Sequence, residues 1–135
     1  MSHSNAKEQH RVSPDYINSL GAEEIFVFGS NIQGFHGGGA AAFALEHFGA
    51  EWGMGEGITG KCYALPTMEG IESFQAAVAR FTAWAKQDPA HHYLVSAVGC
   101  GIAGYTPEEV APMFLEAAKL PNVYLPQCFW EVIDK

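Results

Sequence analysis

Two glycine-rich stretches could bind an anion through backbone amides, and the first holds the densest cluster of glycine. Gly37, Gly38 and Gly39 are consecutive and lead into an alanine-rich segment that is typical of a helix. The first amides of a helix have no partner within it, and the macrodipole places partial positive charge there. One or two glycines would suit a tight turn, but three in a row let a ligand approach the backbone closely. This stretch therefore favours a ligand-binding loop. The second stretch, residues 99–105, contains Gly99, Gly101 and Gly104.

Three side chains near these stretches are candidates for catalysis. His36 precedes the glycine triplet and could act as a general base or as a donor to a phosphate, or could simply face water. Cys100 lies between two glycines ahead of a predicted helix, where its thiol pKa could be lowered and His36 could activate it. Small buried filler is the alternative for this cysteine. Glu56, in a glycine-rich loop, is the acid that we would test as a substitute catalytic acid. The other acids expected near the site are Glu69, Glu108 and Glu109.

The charge of the chain disfavours a nucleic-acid or membrane partner. Seven Lys and Arg residues stand against 15 Asp and Glu residues, which gives the 135-residue chain a net charge of −8. Electrostatic binding to DNA, RNA or anionic lipid needs a basic surface, whereas one small anion could still be held by backbone amides. The histidines and cysteines show no zinc-type spacing, so neither a metal nor a cofactor is predicted.

Composition and cysteine usage indicate a single globular domain. The hydrophobic content of 48% suits a folded chain, and no apolar run approaches the length of a membrane span. Residues 1–14 lack the apolar core of a signal peptide and are predicted to be a disordered polar tail before one domain at residues 15–135. Three cysteines, an odd number without close pairs, fit a reduced cytoplasmic protein better than a disulfide framework.

The elements that position the glycine stretches alternate between strand and helix. Apolar β-prone runs predict strands at residues 25–28, 62–65, 93–98 and 123–125. Helices are predicted at residues 38–48, 71–87 and 107 to about 119, with short helical turns at 16–20 and 128–133. Thr106 is the predicted N-cap of the third helix, with Pro107 at its first position and Glu109 in the capping box. Residues 50–61 contain four glycines and are predicted to be a mobile loop.

The alternation of strands and helices predicts an α/β fold with a largely parallel sheet. In such sheets ligands bind beyond the carboxyl ends of the strands. Both glycine stretches directly follow predicted strands, so they are expected to open at the same edge of the sheet. Two such loops at one edge predict a ligand site more strongly than either loop alone.

Both glycine stretches, in this order, resemble the ligand loops of macro domains, the ADP-ribose-binding α/β/α family. The first family loop reads N-x-x-L-x-x-G-G-G-V-A; here Asn31 and the glycine triplet keep those offsets, with Gly34 at the apolar position. The second family loop reads G-I-F/Y-G-Y-P and is similar to GIAGYTP at residues 101–107. The preceding Gly-Cys dipeptide places the chain nearest the branch that contains the terminal ADP-ribose protein glycohydrolase. The resemblance spans about residues 25–125 and implies a three-layer α/β/α fold with a mostly parallel mixed sheet.

The resemblance also implies which residues touch the ligand. It places Asn31 at the distal ribose, although the side chain of a loop Asn could instead bond local backbone. Tyr105 could stack on a ribose or base, or could simply pack. Phe129 and Trp130 lie where macro domains offer an aromatic ring to adenine, and a cap on the core is the alternative. The diphosphate would contact Gly37, Gly38, Gly39, Gly99, Gly101, Ile102, Ala103 and Gly104.

Three departures from the family bear on catalysis and base recognition. One class of macro-domain hydrolases has an Asp ten residues beyond the loop Asn, and Ala41 occupies that position here. The glycohydrolase branch carries its catalytic Asp within the second loop, where this chain has Ala103. The adenine-reading Asp of the family lies in a G-D-I/L segment, and no such segment precedes Ile25. The known catalytic carboxylates are therefore absent at both matching positions.

The sequence leaves three functions open. The first is a binding module for ADP-ribose or a related nucleoside diphosphate ribose, either free or attached to a modified protein. The second is a hydrolase of ADP-ribosyl, ADP-ribose ester or ADP-ribose phosphate bonds, with His36, Glu56 or Cys100 in place of the missing Asp. The third is a structural or partner-binding protein without a ligand, for which two glycine-rich loops would have no purpose.

Overall fold

The computed structural model describes residues 10–14, 17, 19–35, 39–101 and 103–134. Four predicted site residues, His36, Gly37, Gly38 and Ile102, lie outside these ranges. The described residues form an α/β fold, which confirms the predicted class. Within these ranges, no helix combines the length and the apolar character needed to cross a bilayer.

Strands and helices alternate along most of the chain. The strands are β1 (Val12–Ser13), β2 (Glu24–Ser30), β3 (Gly57–Thr59), β4 (Cys62–Pro66), β5 (His92–Val95) and β6 (Val123–Pro126). The helices are α1 (Gly39–His47), α2 (Ile71–Lys86), α3 (Pro107–Val110) and α4 (Gln127–Ile133), with 3₁₀ turns at Ala111–Phe114 and Ala117–Lys119. The strands form a six-stranded sheet with the order β1-β6-β5-β2-β4-β3. The described pairings are parallel except that of β3 with β4, which confirms the largely parallel sheet.

Strand β2 lies inside the sheet, and its side chains alternate between two apolar clusters. Ile25 and Val27 belong to the larger cluster, which also contains the buried side chains of α2. Phe26 and Phe28 belong to the smaller cluster, which contains the buried alanines of α1. Because successive side chains of a strand point to opposite faces, α2 and α1 pack on opposite sides of β2. This double burial explains why β2 reads as a continuous apolar run.

Helix α1 carries the first glycine stretch into the fold. Its buried face consists of Ala41 and Ala44, whose small side chains let the helix lie close to the phenylalanines of β2. The helix ends at His47, and Gly49 adopts a φ of 81°, a left-handed conformation that favours glycine. The predicted helix and its glycine stop are therefore confirmed within the described residues.

Helix α2 confirms the predicted amphipathic pattern. Its buried side chains include Phe74, Val78, Phe81 and Ala85, which recur at spacings of three and four. These side chains belong to the larger apolar cluster, whereas Trp84 on another face of the helix is 48% exposed. The helix therefore covers the sheet with one stripe and presents the rest of its surface to solvent.

The third predicted helix is correct in its first turn and wrong beyond it. The hydroxyl of Thr106 accepts a hydrogen bond from the Glu109 amide, and the Glu109 carboxylate accepts one from the Thr106 amide, which confirms the capping box. Helix α3 nevertheless ends at Val110, and 3₁₀ turns follow. Pro112 has no amide with which to bond the carbonyl four residues earlier, so a regular helix cannot continue through it.

Residues 10–14 pack against the sheet, so the predicted polar tail is wrong for this segment. Strand β1 pairs in parallel with β6, and the Ser13 hydroxyl donates to the Val95 carbonyl at 2.6 Å. The Arg11 guanidinium donates to two backbone carbonyls, one of which is that of Val123. The strand is two residues long and carries one large apolar side chain, so the alternation of apolar and polar residues that predicts a strand cannot be recognised in it.

Residues 50–61 contain a strand, so the predicted mobile loop is wrong in part. Strand β3 pairs antiparallel with β4, and the Thr59 hydroxyl accepts a hydrogen bond from the Glu51 amide at 2.7 Å. A three-residue segment that begins with glycine has a low tendency to form a strand by itself, and pairing with β4 orders it as β3. The short helix predicted at residues 16–20 is also wrong at the described positions, since Ile17, Ser19 and Leu20 are not helical.

Candidate functional site

A cavity of about 260 Å³ opens at the carboxyl ends of β2, β4 and β5. The residues after β2, the first turn of α1, the residues after β4 and the residues after β5 all contribute to its wall. Gly39 from the first glycine stretch and Gly101 from the second line the same cavity. The predicted convergence of the two loops is therefore confirmed for the described residues, and it follows the general rule for ligand sites in parallel sheets.

Gly101 is a glycine that the fold itself does not require. It has an ordinary φ, and a Cβ built on its backbone would meet no atom of the described part of the chain within 4 Å. A side chain at this position would therefore project into open space at the cavity wall without straining the backbone. Gly39 is similarly open, but its φ of 57° independently favours glycine.

Gly99, in contrast, is explained by local packing. Its φ is 80°, and a Cβ on this residue would collide with the ring of Phe74 in α2. Gly104 has a φ of 85° and takes part in the turn that closes the loop. The positive φ of Gly99 and Gly104 is enough to explain why both positions are glycine, without a ligand contact. Gly99 also lines the cavity.

The loop after β5 presents backbone amides to the cavity wall. The amides of Gly99, Gly101 and Ala103 donate to no oxygen atom of the residues that the structure describes. All three residues line the cavity. The loop holds itself in shape, because the Gly104 amide donates to the Gly101 carbonyl at 3.0 Å and the Tyr105 amide donates to the Gly99 carbonyl at 2.9 Å. Unpaired amides around a concave loop are typical of an anion site.

Asn31 lines the cavity but has a structural role as well. Its side-chain oxygen accepts a hydrogen bond from the Phe35 amide at 2.9 Å, and its side-chain nitrogen donates to the Phe35 carbonyl at 3.0 Å. Both ends of the side chain are thus used to close the loop after β2, which is the alternative that the sequence left open. Because Asn31 is also part of the cavity wall, the loop that it shapes can still contact a ligand.

The two positions that carry an Asp in macro-domain hydrolases both line the cavity. Ala41 reaches it from the first turn of α1, and Ala103 reaches it from the loop after β5. The fifteen residues of the wall include no Asp, Glu, Lys, Arg or His within the described part of the chain. The described wall can therefore bind through amides, hydroxyls and apolar contact, but it supplies no acid or base.

Glu56 does not lie in the cavity wall. Its carboxylate accepts two hydrogen bonds from the Arg80 guanidinium in α2, one from Nε at 2.6 Å and one from Nη2 at 3.0 Å. This bidentate pair ties the segment before β3 to α2. The structure therefore gives Glu56 a tethering contact and does not bring it to the predicted catalytic position.

Cys100 also differs from the prediction. Burial, together with smaller contributions from the Cys128 thiol and the Glu108 and Glu109 carboxylates, raises the pKa of its thiol to about 11. The expected lowering of the pKa is wrong, because the glycine-flanked cysteine packs against the larger apolar cluster. At neutral pH the group is a neutral thiol and a weak nucleophile.

The two predicted aromatic contacts are packing residues. The Phe129 side chain is 0% exposed, and its ring lies 5.4 Å from that of Phe114. The core cap that the sequence offered as the alternative is the role that Phe129 has. Tyr105 is half-buried, and its ring lies 5.5 Å from the Phe74 ring. Neither side chain is part of the cavity wall.

A second, more apolar groove of about 560 Å³ adjoins the cavity. The two share Gly39, Ala40, Ser96 and Ala97. The remaining wall of the groove includes Phe26 and Phe43, together with Ile17, Pro126 and Cys128. The cavity thus continues into a groove that is lined mainly by apolar side chains and has a size that admits a planar ring.

Sequence reasoning missed the contribution of strand β4. Thr67 and Met68 follow this strand and line the cavity, and the Thr67 amide donates to the Ser30 carbonyl at 2.8 Å. Glu69 comes next, and its carboxylate accepts a hydrogen bond from the Ile32 amide at 2.9 Å. The signal was available, because any residue directly after an inner parallel strand is expected at the ligand edge.

The described residues contain no group of three or more His, Cys, Asp or Glu side chains that could hold a metal ion. Comparison of the chain with protein-family models, with curated proteins and with solved structures finds no significant match. The site must therefore be interpreted from its own geometry and chemistry.

Proposed function

We propose that this protein binds ADP-ribose or a related nucleoside diphosphate ribose in a divergent macro-domain-like fold. The amides of the loop after β5 and the N-terminus of α1 bind the diphosphate. A ribose lies against the loop that Asn31 shapes, and the adenine or equivalent base lies in the adjoining apolar groove. The proposal extends the observed α/β architecture to the three-layer arrangement of that family.

The observation that carries the proposal is the pairing of Gly39 and Gly101 across one cavity. Both leave bare backbone at the wall, and no atom of the described residues fills the space above Gly101. A phosphate oxygen accepts hydrogen bonds from such amides, and the macrodipole of α1 adds attraction for negative charge. The order of the two loops in the sequence, which resembles that of macro domains, supports the same ligand class.

The charge of the site fits a ligand that is bound by dipoles instead of ion pairs. The chain has a net charge of −8, and the described cavity wall carries no cation. Binding is therefore expected to depend only weakly on salt, because few full charges interact with the diphosphate. The same charge disfavours a DNA or RNA strand as the ligand. A cytoplasmic location is inferred from the odd number of cysteines alone.

A thermal-shift panel tests the ligand class. The panel contains ADP-ribose, AMP, ribose 5-phosphate and inorganic phosphate, so that each part of the ligand is present alone and in combination. A ligand that binds only the folded state and is present at about 100 times its Kd stabilises a protein by about 2.7 kcal/mol, which corresponds to roughly 5–15 °C here. We expect ADP-ribose to raise the Tm and inorganic phosphate to leave it unchanged. A flat response to the whole panel would contradict the proposal.

A hydrolase remains the second candidate, and one observation favours it. Glu69 follows the cavity residues Thr67 and Met68, and its carboxylate is fixed at the Ile32 amide, next to Asn31. It is therefore a carboxylate held beside the loop that we assign to a ribose. General acid–base catalysis by such a group is worth about 10²–10⁴-fold.

The two candidates differ in their response to Glu69→Gln. The assay incubates the protein with mono-ADP-ribosylated protein and with acetyl and phosphate esters of ADP-ribose. Turnover that falls at least about 100-fold in Glu69→Gln, but not in the control Glu72→Gln in α2, would support the hydrolase. Binding of ADP-ribose without turnover of any of these substrates would support the binding module.

A further inference from the structure

Two large aromatic side chains are stacked and exposed beside the cavity. The rings of Phe35 and Trp52 have centroids 5.5 Å apart and planes inclined by 18°. Phe35 is 53% exposed and Trp52 is 58% exposed. Single exposed apolar residues are common on protein surfaces, but a stacked pair at the edge of a ligand cavity presents a continuous aromatic surface.

The pair is held in place by the backbone on both sides. The Gly53 amide donates to the Gly34 carbonyl at 2.8 Å, so the residue before Phe35 is bonded to the residue after Trp52. Gly34 has a φ of 74°, and a Cβ on it would collide with the backbone of Gly53. The double hydrogen bond from Asn31 fixes Phe35 itself. The two rings are thus preorganised, which lowers the cost of binding a third ring.

The order of the sheet places this pair away from the apolar groove. Besides Phe26 of β2 and the start of α1, the groove is lined by residues at or beyond the carboxyl ends of β1, β6 and β5. The cavity is lined by the start of α1 and by residues at or beyond the carboxyl ends of β5, β2 and β4. Phe35 lines the cavity but not the groove. Trp52 belongs to the segment that leads into β3, which is the edge strand beyond β4. The cleft therefore runs from an apolar groove, through an amide-lined centre, to an aromatic pair.

We propose that Phe35 and Trp52 form a stacking site for a second planar ring of the ligand, which is a dinucleotide with a heteroaromatic ring on each ribose. The proposal rests on the proposed function, because the diphosphate must lie on the glycine loops for its two arms to reach both ends. One ring occupies the groove beside Phe26 and Phe43. The other ring continues the stack of Trp52 and Phe35, in the offset geometry that aromatic rings prefer.

This ligand class accounts for features that ADP-ribose alone does not. ADP-ribose has one base, which would fill the groove and would not reach the aromatic pair. Base–aromatic stacking tolerates different rings because every base has a π-face, so the site selects planarity and not one particular base. A longer nucleic acid would also bring rings to the pair, but its phosphates would meet a chain with a net charge of −8.

The test compares the affinities of NAD and ADP-ribose, which differ by the ring on the outer ribose. Calorimetric titrations are run on the wild-type protein, on Trp52→Ala and on the control Trp84→Ala, whose indole is exposed on α2 outside the cavity wall. Chromatography at the end of each titration checks that NAD is intact. We expect the wild type to bind NAD about tenfold more tightly than ADP-ribose. Trp52→Ala is expected to remove this preference while its affinity for ADP-ribose stays within about twofold, because the indole is not part of the cavity wall.

Fluorescence gives an independent readout of stacking. A ring that stacks on Trp52 is expected to quench indole emission with NAD but not with ADP-ribose, and the quenching is expected to be absent in Trp52→Ala. Equal affinity of the wild type for both ligands would overturn the proposal and leave the proposed function intact. If Trp52→Ala lowered the affinities for NAD and ADP-ribose by the same factor, the proposal would likewise be overturned and the proposed function left intact. Failure of both ligands to bind the wild-type protein would refute the proposed function and this inference with it.

Discussion

Ala41 in the first turn of α1 and Ala103 in the loop after β5 line the same cavity. These are the two positions at which the resemblance to macro domains implies a catalytic Asp. The α1 side of the cavity and the side formed by the loop after β5 thus each contribute one of these two alanines to the same wall. The wall presents two methyl groups at these positions and, among the described residues, contains no carboxylate.

A carboxylate introduced at this wall is expected to repel the ligand. Ala103→Asp places a negative charge beside the proposed diphosphate, and two unit charges about 4 Å apart interact by about 4 kcal/mol at an effective dielectric constant near 20. We expect the affinity for ADP-ribose, measured by calorimetry at pH 7.5, to fall by at least about tenfold. The neutral control Ala103→Asn has nearly the same size and is expected to lose much less. Equal losses in the two variants would show that size, and not charge, governs this position.

The ion pair between Glu56 and Arg80 predicts a structural role without a catalytic one. Glu56→Gln removes the charge of the carboxylate but keeps its shape. Because the Arg80 side chain is 53% exposed, the pair is screened, and we expect a loss of no more than about 1 kcal/mol in the free energy of unfolding. Urea unfolding measures this loss, and ADP-ribose binding is expected to be unchanged. If Glu56→Gln bound ADP-ribose much more weakly than the wild type at normal stability, Glu56 would have a role in the ligand site and the prediction would be wrong.

Buried thiols and phenols predict a loss of stability in alkali. Burial raises the pKa of Cys62 from 9.0 to about 12, and burial together with Glu56 raises the pKa of Tyr63 from 10.0 to about 12. Above about pH 9 the unfolded chain therefore releases protons that the folded chain retains. This stabilisation is fully present below pH 9 and is lost as the pH rises toward 12. Urea unfolding between pH 7 and 11 is expected to show a falling free energy of unfolding.

The variant Cys62→Ala isolates the thiol in this pH dependence. It removes one of the groups with a raised pKa and leaves the apolar surroundings of β4 in place. We expect it to be less stable than the wild type at pH 7, because a buried sulfur is lost, but to lose less of its stability between pH 9 and 11. An unchanged slope would contradict the assignment of a buried, protonated thiol at this position.

The inner strands and the amphipathic helix could be predicted from sequence because local pattern and tertiary burial agree. Strand β2 is apolar on both faces and is buried on both faces, and α2 buries the stripe that its spacing predicts. The capping box at Thr106 is a local motif and was equally readable. The convergence of Gly39 and Gly101 followed from the parallel order of the strands.

The remaining elements depend on contacts that no local pattern encodes. Strand β1 has two residues and is held by hydrogen bonds to distant backbone, such as that from Ser13 to Val95. Strand β3 has three residues, one of them glycine, and is ordered by its pairing with β4 at the edge of the sheet. The pairing of Glu56 with Arg80 and the stacking of Phe35 on Trp52 each join residues of different segments. The glycine content of residues 50–61 suggested a mobile loop with a catalytic Glu56. In the structure, the Glu56 carboxylate instead ties this segment to Arg80 of α2.

We propose that bare backbone at Gly101 binds the phosphates of a nucleoside diphosphate ribose. The most direct test of this proposal is the affinity of Gly101→Val for ADP-ribose, measured by calorimetry beside the wild type and Gly21→Val. Both glycines have an ordinary φ, and neither substitution places its Cβ closer than 3.5 Å to an atom of the described residues. Of the two, Gly101 lines the cavity and Gly21 does not. We predict that Gly101→Val keeps the wild-type Tm and loses at least about tenfold in affinity, since overpacking costs about 1–3 kcal/mol, while Gly21→Val retains it. A folded Gly101→Val protein that binds ADP-ribose as tightly as the wild type would contradict the proposal.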